Sequence, residues 1–268
     1  MLNYDLLNNN IETYTQTFKT ARPFRHLVID NFLLPEIARE GFENFPKMEE
    51  MDVLKDFRQY KAQDPAVHKF HTIFKEIIFQ HLQSQRFLNI VSKITEIPAL
   101  CADPQLYASG LAQGGDKSFL NVHIDNSSHP VNAYYRRLNL LIYLNKNWQE
   151  EKGGHLELWN RDLTESVAIL PAFNRAVFFA TDKYSWHGYR QVNASDGDTR
   201  KSINLYYFTE QSPDRSQYYH ITSFRARPEE QMNKLLYPVD NMLRSLVRKL
   251  RPNKDGHAIL FDSEKTPK

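Results

Sequence analysis

Between residues 104 and 209 the chain breaks into short β-like runs separated by turn residues, with no helical period between them. The runs lie near 104–113, 118–125, 136–145, 154–160, 165–169, 175–181, 187–192 and 200–209. Gly114-Gly115-Asp116, Gly153-Gly154, Phe173-Asn174 and Ser195-Asp196-Gly197-Asp198 punctuate them, residue types that accept the backbone angles of tight turns. About eight strands in roughly a hundred residues, without helices between them, argue for a jelly roll or double-stranded β-helix. The predicted fold class is mainly β with flanking helices.

The flanks read differently. Residues 1–22 are polar and predict an adaptable or helical lead, and Pro23 to Leu33 reads as a strand. Pro35 opens a helix, PEIAREGFENF, whose apolar positions recur at helical spacing. Residues 47–64 are charged and irregular and predict a surface loop. A second helix, about 66–94, carries Phe70, Ile73, Phe74, Ile77, Ile78 and Leu82 along one stripe. The tail at 228–250 predicts an amphipathic helix broken or kinked at Pro238. The organisation expected is 1–103 packing on the core, 104–227 as the catalytic core and 228–268 as a helical tail, one structural domain overall.

A net charge of +2, from 34 basic and 32 acidic residues, gives no strong field toward nucleic acid or a membrane surface, so neither is expected as a partner. The basic run RSLVRKLR at 244–251 reads as a solvated helix face. Cys101 is the only cysteine, which leaves no internal disulfide and suits a reducing, cytoplasmic setting. The N-terminal residues lack the pattern of a signal peptide, and no apolar run reaches the length of a membrane span.

Within the β-rich region stands His123-Ile124-Asp125, followed on a later run by His187 and then by Arg200. On a strand, residues two apart share a face, so His123 and Asp125 can grip one ion together. His187 completes two imidazoles and one carboxylate, the set with open positions on one side used by non-haem Fe(II) oxygenases. Arg200 adds a permanently charged fork suited to a carboxylate. If 187–192 and 200–209 are neighbouring antiparallel strands, Arg200 starts the strand beside His187. Tyr143, in the apolar run Leu140 to Leu144, offers a phenolic donor to the same carboxylate.

Six blocks in order carry a resemblance: HIDN at 123–126, RLNLLIYLNKNW at 137–148, GGHLELW at 153–159, LPAFNRAVFF at 170–179, SWHG at 185–188 and RKSINLYYF at 200–208. They resemble the catalytic core of 2-oxoglutarate/Fe(II) dioxygenases of the prolyl 4-hydroxylase type. The likeness is greatest to the hypoxia-inducible-factor prolyl hydroxylases and their small bacterial relatives. The resemblance implies His123, Asp125 and His187 as iron ligands. It implies Arg200 as the salt-bridge partner of the 2-oxoglutarate C5 carboxylate, Tyr143 as its hydrogen-bonding partner, and Leu156, Asn204 and Tyr206 as co-substrate pocket residues. Asn204 stands where some relatives place a threonine. Fe(II), 2-oxoglutarate and O2 are the implied cofactor and co-substrates, with ascorbate as an accessory reductant.

The implied reaction is hydroxylation of a C–H bond with release of succinate and CO2, the most nameable substrate being a peptidyl proline. A small metabolite or a sugar-linked precursor is the alternative, because the segments 47–64, 126–136 and 210–227, where such enzymes choose substrates, do not resemble the prolyl hydroxylases strongly. A non-catalytic metal or 2-oxoglutarate sensor is a second alternative, whose signature would be a missing ligand. A cupin-type enzyme without 2-oxoglutarate is a third, which Arg200 and Tyr143 argue against. His155 and Glu157 form another H-x-E pattern, read as structural or at the pocket rim. Arg136 and Arg137 are candidates for the pocket mouth, and 126–136 for a mobile lid.

Overall fold

A computed structural model describes residues 1–132, 134–213 and 220–250, with the side chains of 247–250 left aside. Among these residues the strands are β1 His26–Ile29, β2 Val53–Lys55, β3 Gln59–Asp64, β4 Gly110–Gly114, β5 Phe119–Ile124 and β6 Tyr135–Tyr143. They continue as β7 Leu156–Trp159, β8 Ser166–Ile169, β9 Arg175–Ala180, β10 Trp186–Tyr189, β11 Arg200–Thr209 and β12 Ser223–Phe224. The helices are α1 Tyr4–Asn9, α2 Ile11–Thr20, α3 Pro35–Glu43, α4 Thr72–Lys75, α5 Gln85–Thr95 and α6 Gln231–Leu250. The strands form one antiparallel sheet in the order β1-β9-β6-β11-β4-β3-β5-β10-β7-β8, with β12 on β5 and β2 on β3. This is the predicted jelly roll with flanking helices.

Strand alternation sorts the central strands into two faces. Leu138, Leu140 and Ile142 of β6, Ala176 and Phe178 of β9, and Ile203, Leu205 and Tyr207 of β11 turn outward into a core shared with the helices. There Phe32 meets Phe178 and Phe87 edge-on at 5.8 and 6.1 Å. Each such fully buried phenylalanine contributes on the order of 2–3 kcal/mol by removing apolar surface from water. The opposite parity, Asn139, Leu141, Phe179, Arg200, Asn204 and Tyr206, faces a cavity inside the sheet.

Several expectations are corrected. The 47–64 segment is not a surface loop: it contains β2 and β3, and β3 is hydrogen-bonded between β4 and β5. The single helix at 66–94 is divided into α4, a π-helical stretch Glu76–Leu82, and α5. The break falls at Ser84, whose hydroxyl caps α5 by accepting from the Phe87 amide at 3.2 Å. The first core strand begins at Gly110, because the preceding residues form turns, with Leu106 and Ala108 at positive φ. Helix α6 runs through Pro238. It docks with Tyr237, Asp240, Asn241 and Arg244 toward the sheet, while Met232, Leu235, Leu236, Val239, Met242 and Leu243 are exposed. Within the 244–251 run, Arg244 is bonded to Asp240 and to the Thr222 carbonyl, and Arg251 lies outside the described residues. No helix among the described residues is long and apolar enough to cross a membrane.

Candidate active site

Strands β5 and β10 are antiparallel neighbours in a register that sets His123 opposite His187. Such close pairing needs Gly188, because a Cβ there would stand 2.6 Å from the Leu120 carbonyl oxygen. The two imidazole rings lie 4.3 Å apart, and Asp125, just past the end of β5, closes the triangle. Its Oδ1 is 3.6 Å from His123 Nε2 and its Oδ2 is 3.6 Å from His187 Nε2. Ligands about 2.1 Å from an ion and at right angles stand about 3 Å apart, so small side-chain rotations suffice to close this set on a metal.

The hydrogen bonds behind the triangle fit that use. His123 Nδ1 lies 3.0 Å from the Asn121 carbonyl and His187 Nδ1 lies 3.0 Å from the Ser185 carbonyl. Each backbone oxygen selects the tautomer protonated at Nδ1 and leaves the Nε2 lone pair aimed at the cavity, the orientation a metal ligand requires. Phe224 stacks on His123 at 5.3 Å and Phe179 packs on His187 at 4.8 Å, excluding water from the rings. Burial, with His123 adding to it, pushes the His187 imidazole down to about 4, so it is a neutral donor at physiological pH. Asp125 stays ionised: burial opposes this, but the Arg136 guanidinium at 3.1 Å holds its carboxyl well below the usual carboxylate range.

The same shift fixes a dependence of stability on pH. His187 binds its proton less readily in the folded state than at the unfolded value near 6.5. The unfolded chain therefore gains protons first, and stability is lost as pH falls from about 6.5 toward 4, by up to about 3 kcal/mol. In the metal-free protein the urea midpoint should drop across this window. His187→Asn should remove that part of the slope, and an identical slope in the variant would contradict the burial of this imidazole.

Arg136 was expected at the mouth of the pocket; it is only 2% exposed. Its Nη1 pairs with Asp125 Oδ2 at 3.1 Å, its Nη2 donates to Asn126 Oδ1 at 3.0 Å, and its guanidinium lies 3.8 Å over the Tyr206 ring. A β-bulge re-aims it: Tyr207 faces Leu138 while Phe208 faces Arg136, so Arg137 is the extra residue and parity inverts beyond it. Asn139 Nδ2 also donates to Asp125, at 2.7 Å. In the 126–136 segment, expected as a mobile lid, the described residues at its two ends are tied down, by the Ser128–Tyr135 bridge and by bonds from Arg136 N to Ser127 O and from Ser127 N to His220 O.

Arg200 and His187 do not lie on adjacent strands. Strand β10 pairs with β5 and β7, and β11 pairs with β4 and β6, because the chain crosses the barrel between them. Both side chains nonetheless line one cavity of about 440 Å³. Arg200 Nη2 donates to the Tyr143 hydroxyl at 2.9 Å and its Nε to the Gly154 carbonyl at 2.7 Å. Its guanidinium carbon lies 4.2 Å from the centre of the Tyr189 ring and 4.8 Å from that of Tyr143. Gly154, at φ +67°, leaves the space: a Cβ there would sit 3.0 Å from Arg200 Cδ. Leu156, Asn204 and Tyr206 also line the cavity.

The other histidines near the ligands are engaged elsewhere. His155 pairs with Glu150 at 2.6 Å, and Glu157 is bonded by Arg190 and Arg227, each at 2.7 Å. His129 faces Asp103 at 3.4 Å. Sequence reasoning put Arg136 at the mouth rather than on Asp125, and missed Asn139 and Tyr189. Only Asn139 carried a signal, being a polar residue inside the apolar run of β6 on the parity of Leu141 and Tyr143.

Residues 109–208 match the profile of the 2OG-Fe(II) oxygenase superfamily. Over that stretch the chain resembles a 2OG-Fe(II) oxygenase core. The chain is similar to prolyl 3-hydroxylase OGFOD1 of Mus musculus, with 23% identity over 194 residues that make up 69% of this chain and 33% of that protein. It thus spans about a third of the length of that curated relative. Among solved structures, a Trichoplax adhaerens prolyl hydroxylase bound to a hypoxia-inducible-factor degradation-domain peptide superposes with a TM-score of 0.51 at 20% identity. That likeness covers 78% of this chain and 94% of the other. Prolyl 4-hydroxylase of Phytophthora capsici gives 0.52 at 18% identity, covering 96% and 82%. Likeness at these identities is a likeness of fold. The two imidazoles and one carboxylate that the chain presents at one point of the cavity are a donor set that fits the Fe(II) in that superfamily's name.

Proposed function

We propose that this protein is a 2-oxoglutarate- and Fe(II)-dependent dioxygenase that hydroxylates a C–H bond of its substrate. One observation carries the reading: the His123, Asp125 and His187 donor set and the Arg200–Tyr143 pair line or flank a single cavity, with no competing carboxylate on Arg200 among the described residues. When bound, Fe(II) supplies the coupling of oxidative decarboxylation of 2-oxoglutarate, giving succinate and CO2, to insertion of one oxygen atom into a C–H bond.

The chain's own residues do the rest. His123, Asp125 and His187 would hold the metal, and Arg136 and Asn139 fix the Asp125 carboxylate. Arg200 receives the C5 carboxylate of the co-substrate in a charge-assisted bond, with the Tyr143 hydroxyl beside it. Leu156, Leu141 and Phe179 offer apolar surface to its methylenes, and Asn204 and Tyr206 complete the wall.

Peptidyl proline is the substrate proposed first, supported by relatives that are prolyl hydroxylases. A small metabolite or sugar-linked precursor is the second reading, supported by a cavity whose size suits a compact ligand. Ascorbate as accessory reductant and a cytoplasmic location, in keeping with the lone Cys101, belong to the same proposal.

The test is anaerobic titration with Fe(II) and then 2-oxoglutarate, following the weak visible charge-transfer band of the chelated co-substrate. The band should appear in the wild type and be lost in His187→Ala and Arg200→Ala. Its absence from folded, metal-loaded wild type would leave a metal protein of another kind. Succinate release against peptide and metabolite panels then separates the two substrate readings.

A further inference from the structure

Five cationic side chains line the cavity among the described residues: Arg58, Lys61, Arg136, Arg200 and Arg244. Three are matched by carboxylates. Arg58 pairs with Asp56 at 2.6 Å and Asp240 at 3.3 Å, Arg244 with Asp240 at 2.8 Å, and Arg136 with Asp125 at 3.1 Å. Arg200 is the seat proposed for the far carboxylate of 2-oxoglutarate, whose other carboxylate belongs to the metal. That leaves Lys61. Its ammonium donates to Gln63 Oε1 at 2.7 Å, and it forms no ion pair with a carboxylate among the described residues.

The position of Lys61 is set by the sheet. On β3 the alternation turns Ala62 into the helical core and Gln59, Lys61 and Gln63 into the cavity. Strand β3 lies between β5, which carries His123, and β4, which pairs with the strand that Arg200 begins. Lys61 therefore stands on the wall between the candidate metal ligands and the co-substrate anchor, within the fields of both Asp125 and Arg200. Burial pushes its ammonium down to about 8, which leaves it cationic at neutral pH. A half-buried cation without a carboxylate partner still costs free energy, and glutamine, present on either side of it, would fill the same wall without that cost.

We propose that Lys61, flanked by Gln59 and Gln63, binds an oxyanion of the primary substrate, carboxylate or phosphate, beside the C–H bond to be oxidised, so that the enzyme selects anionic substrates. The inference rests on the oxygenase reading and names a substrate class for it. Lys61 binds substrate only, and the co-substrate keeps its own seat on Arg200.

The experiment is calorimetric titration of wild type and Lys61→Met, each loaded with Mn(II) and 2-oxoglutarate without oxygen. The ligands are matched pairs: N-acetylproline and N-acetylprolinamide, a blocked Glu-Pro tripeptide and its Gln-Pro isostere, and a blocked phosphoserine-Pro tripeptide and its Ser-Pro counterpart. At least one anionic member should bind wild type about tenfold or more tightly than its neutral partner. The pair that shows this tells carboxylate from phosphate. Lys61→Met should lose that margin while its 2-oxoglutarate affinity stays within about twofold of wild type, and Lys61→Arg should keep part of the margin. The proposal is overturned if no anion outbinds its partner or if the margin survives in Lys61→Met. A tenfold loss of 2-oxoglutarate affinity in that variant also overturns it, by assigning Lys61 to the co-substrate. Failure of the oxygenase reading looks different: neither protein then binds 2-oxoglutarate in a Mn(II)-dependent way, and the inference falls with it.

Discussion

Asp125→Ala is expected to abolish iron-dependent turnover and to weaken metal binding beyond the 10–100-fold that loss of a ligand's outer hydrogen-bond partner costs. The carboxylate is the only anion in the donor set, and its removal leaves two neutral imidazoles with nothing to offset the charge of the ion. It also leaves the buried Arg136 guanidinium without its carboxylate partner. Breaking a buried ion pair from one side costs about 3–5 kcal/mol, so the alanine variant should also be less stable. Asp125→Asn separates the two effects, because its amide oxygen can still accept from Arg136 and Asn139. The measurements are succinate release and the shift of melting temperature on adding Mn(II). Wild-type turnover in either variant would remove Asp125 from the ligand set.

The second large effect is expected at Arg200. Arg200→Ala should raise the 2-oxoglutarate requirement on the order of a hundredfold, the scale of losing one partner of a buried charged pair, with Mn(II) affinity unchanged. Tyr143→Phe removes one neutral hydroxyl from the same place and should cost only about three- to tenfold. The two losses should not add, since Tyr143 and Arg200 are bonded to each other. Initial rates against 2-oxoglutarate concentration measure both, and an unchanged apparent affinity in Arg200→Ala would end its role as anchor.

How much of this was legible in the sequence follows a physical pattern. Strands β5 to β11 were readable because their outward residues are apolar and turn residues bound them. The candidate ligands were readable because two-residue spacing on a strand is a rigid rule. Strand β3 was not, because it inverts the usual pattern: its cavity face is Gln59, Lys61 and Gln63, so a strand in the middle of the sheet reads as a charged loop. Arg136 was misplaced because a bulge at Arg137 reverses parity, and nothing in the local residue types announces a bulge. The neighbour relation of β10 and β11 was misjudged because adjacency along the chain is not adjacency in a jelly roll, where successive strands alternate between opposite walls. The stop at Ser84 was readable in principle, a serine three residues before the Phe87 amide it caps, but the continuous apolar stripe on both sides concealed it.

Strand β3 has a bearing on how such a protein is divided. The stretch recognisable at family level, 109–208, supplies the donor set and Arg200, yet one wall of the cavity comes from residues 59–63 and the stacking partner of His123 is Phe224. A fragment cut to the recognisable stretch would expose the edges of β4, β5 and β9 that β1, β3 and β12 now cover, and open edges of this kind seek other strands. Chimeras that exchange only residues 109–208 between homologues would join the donor set of one parent to the β3 wall of the other, because that wall travels with the flanks.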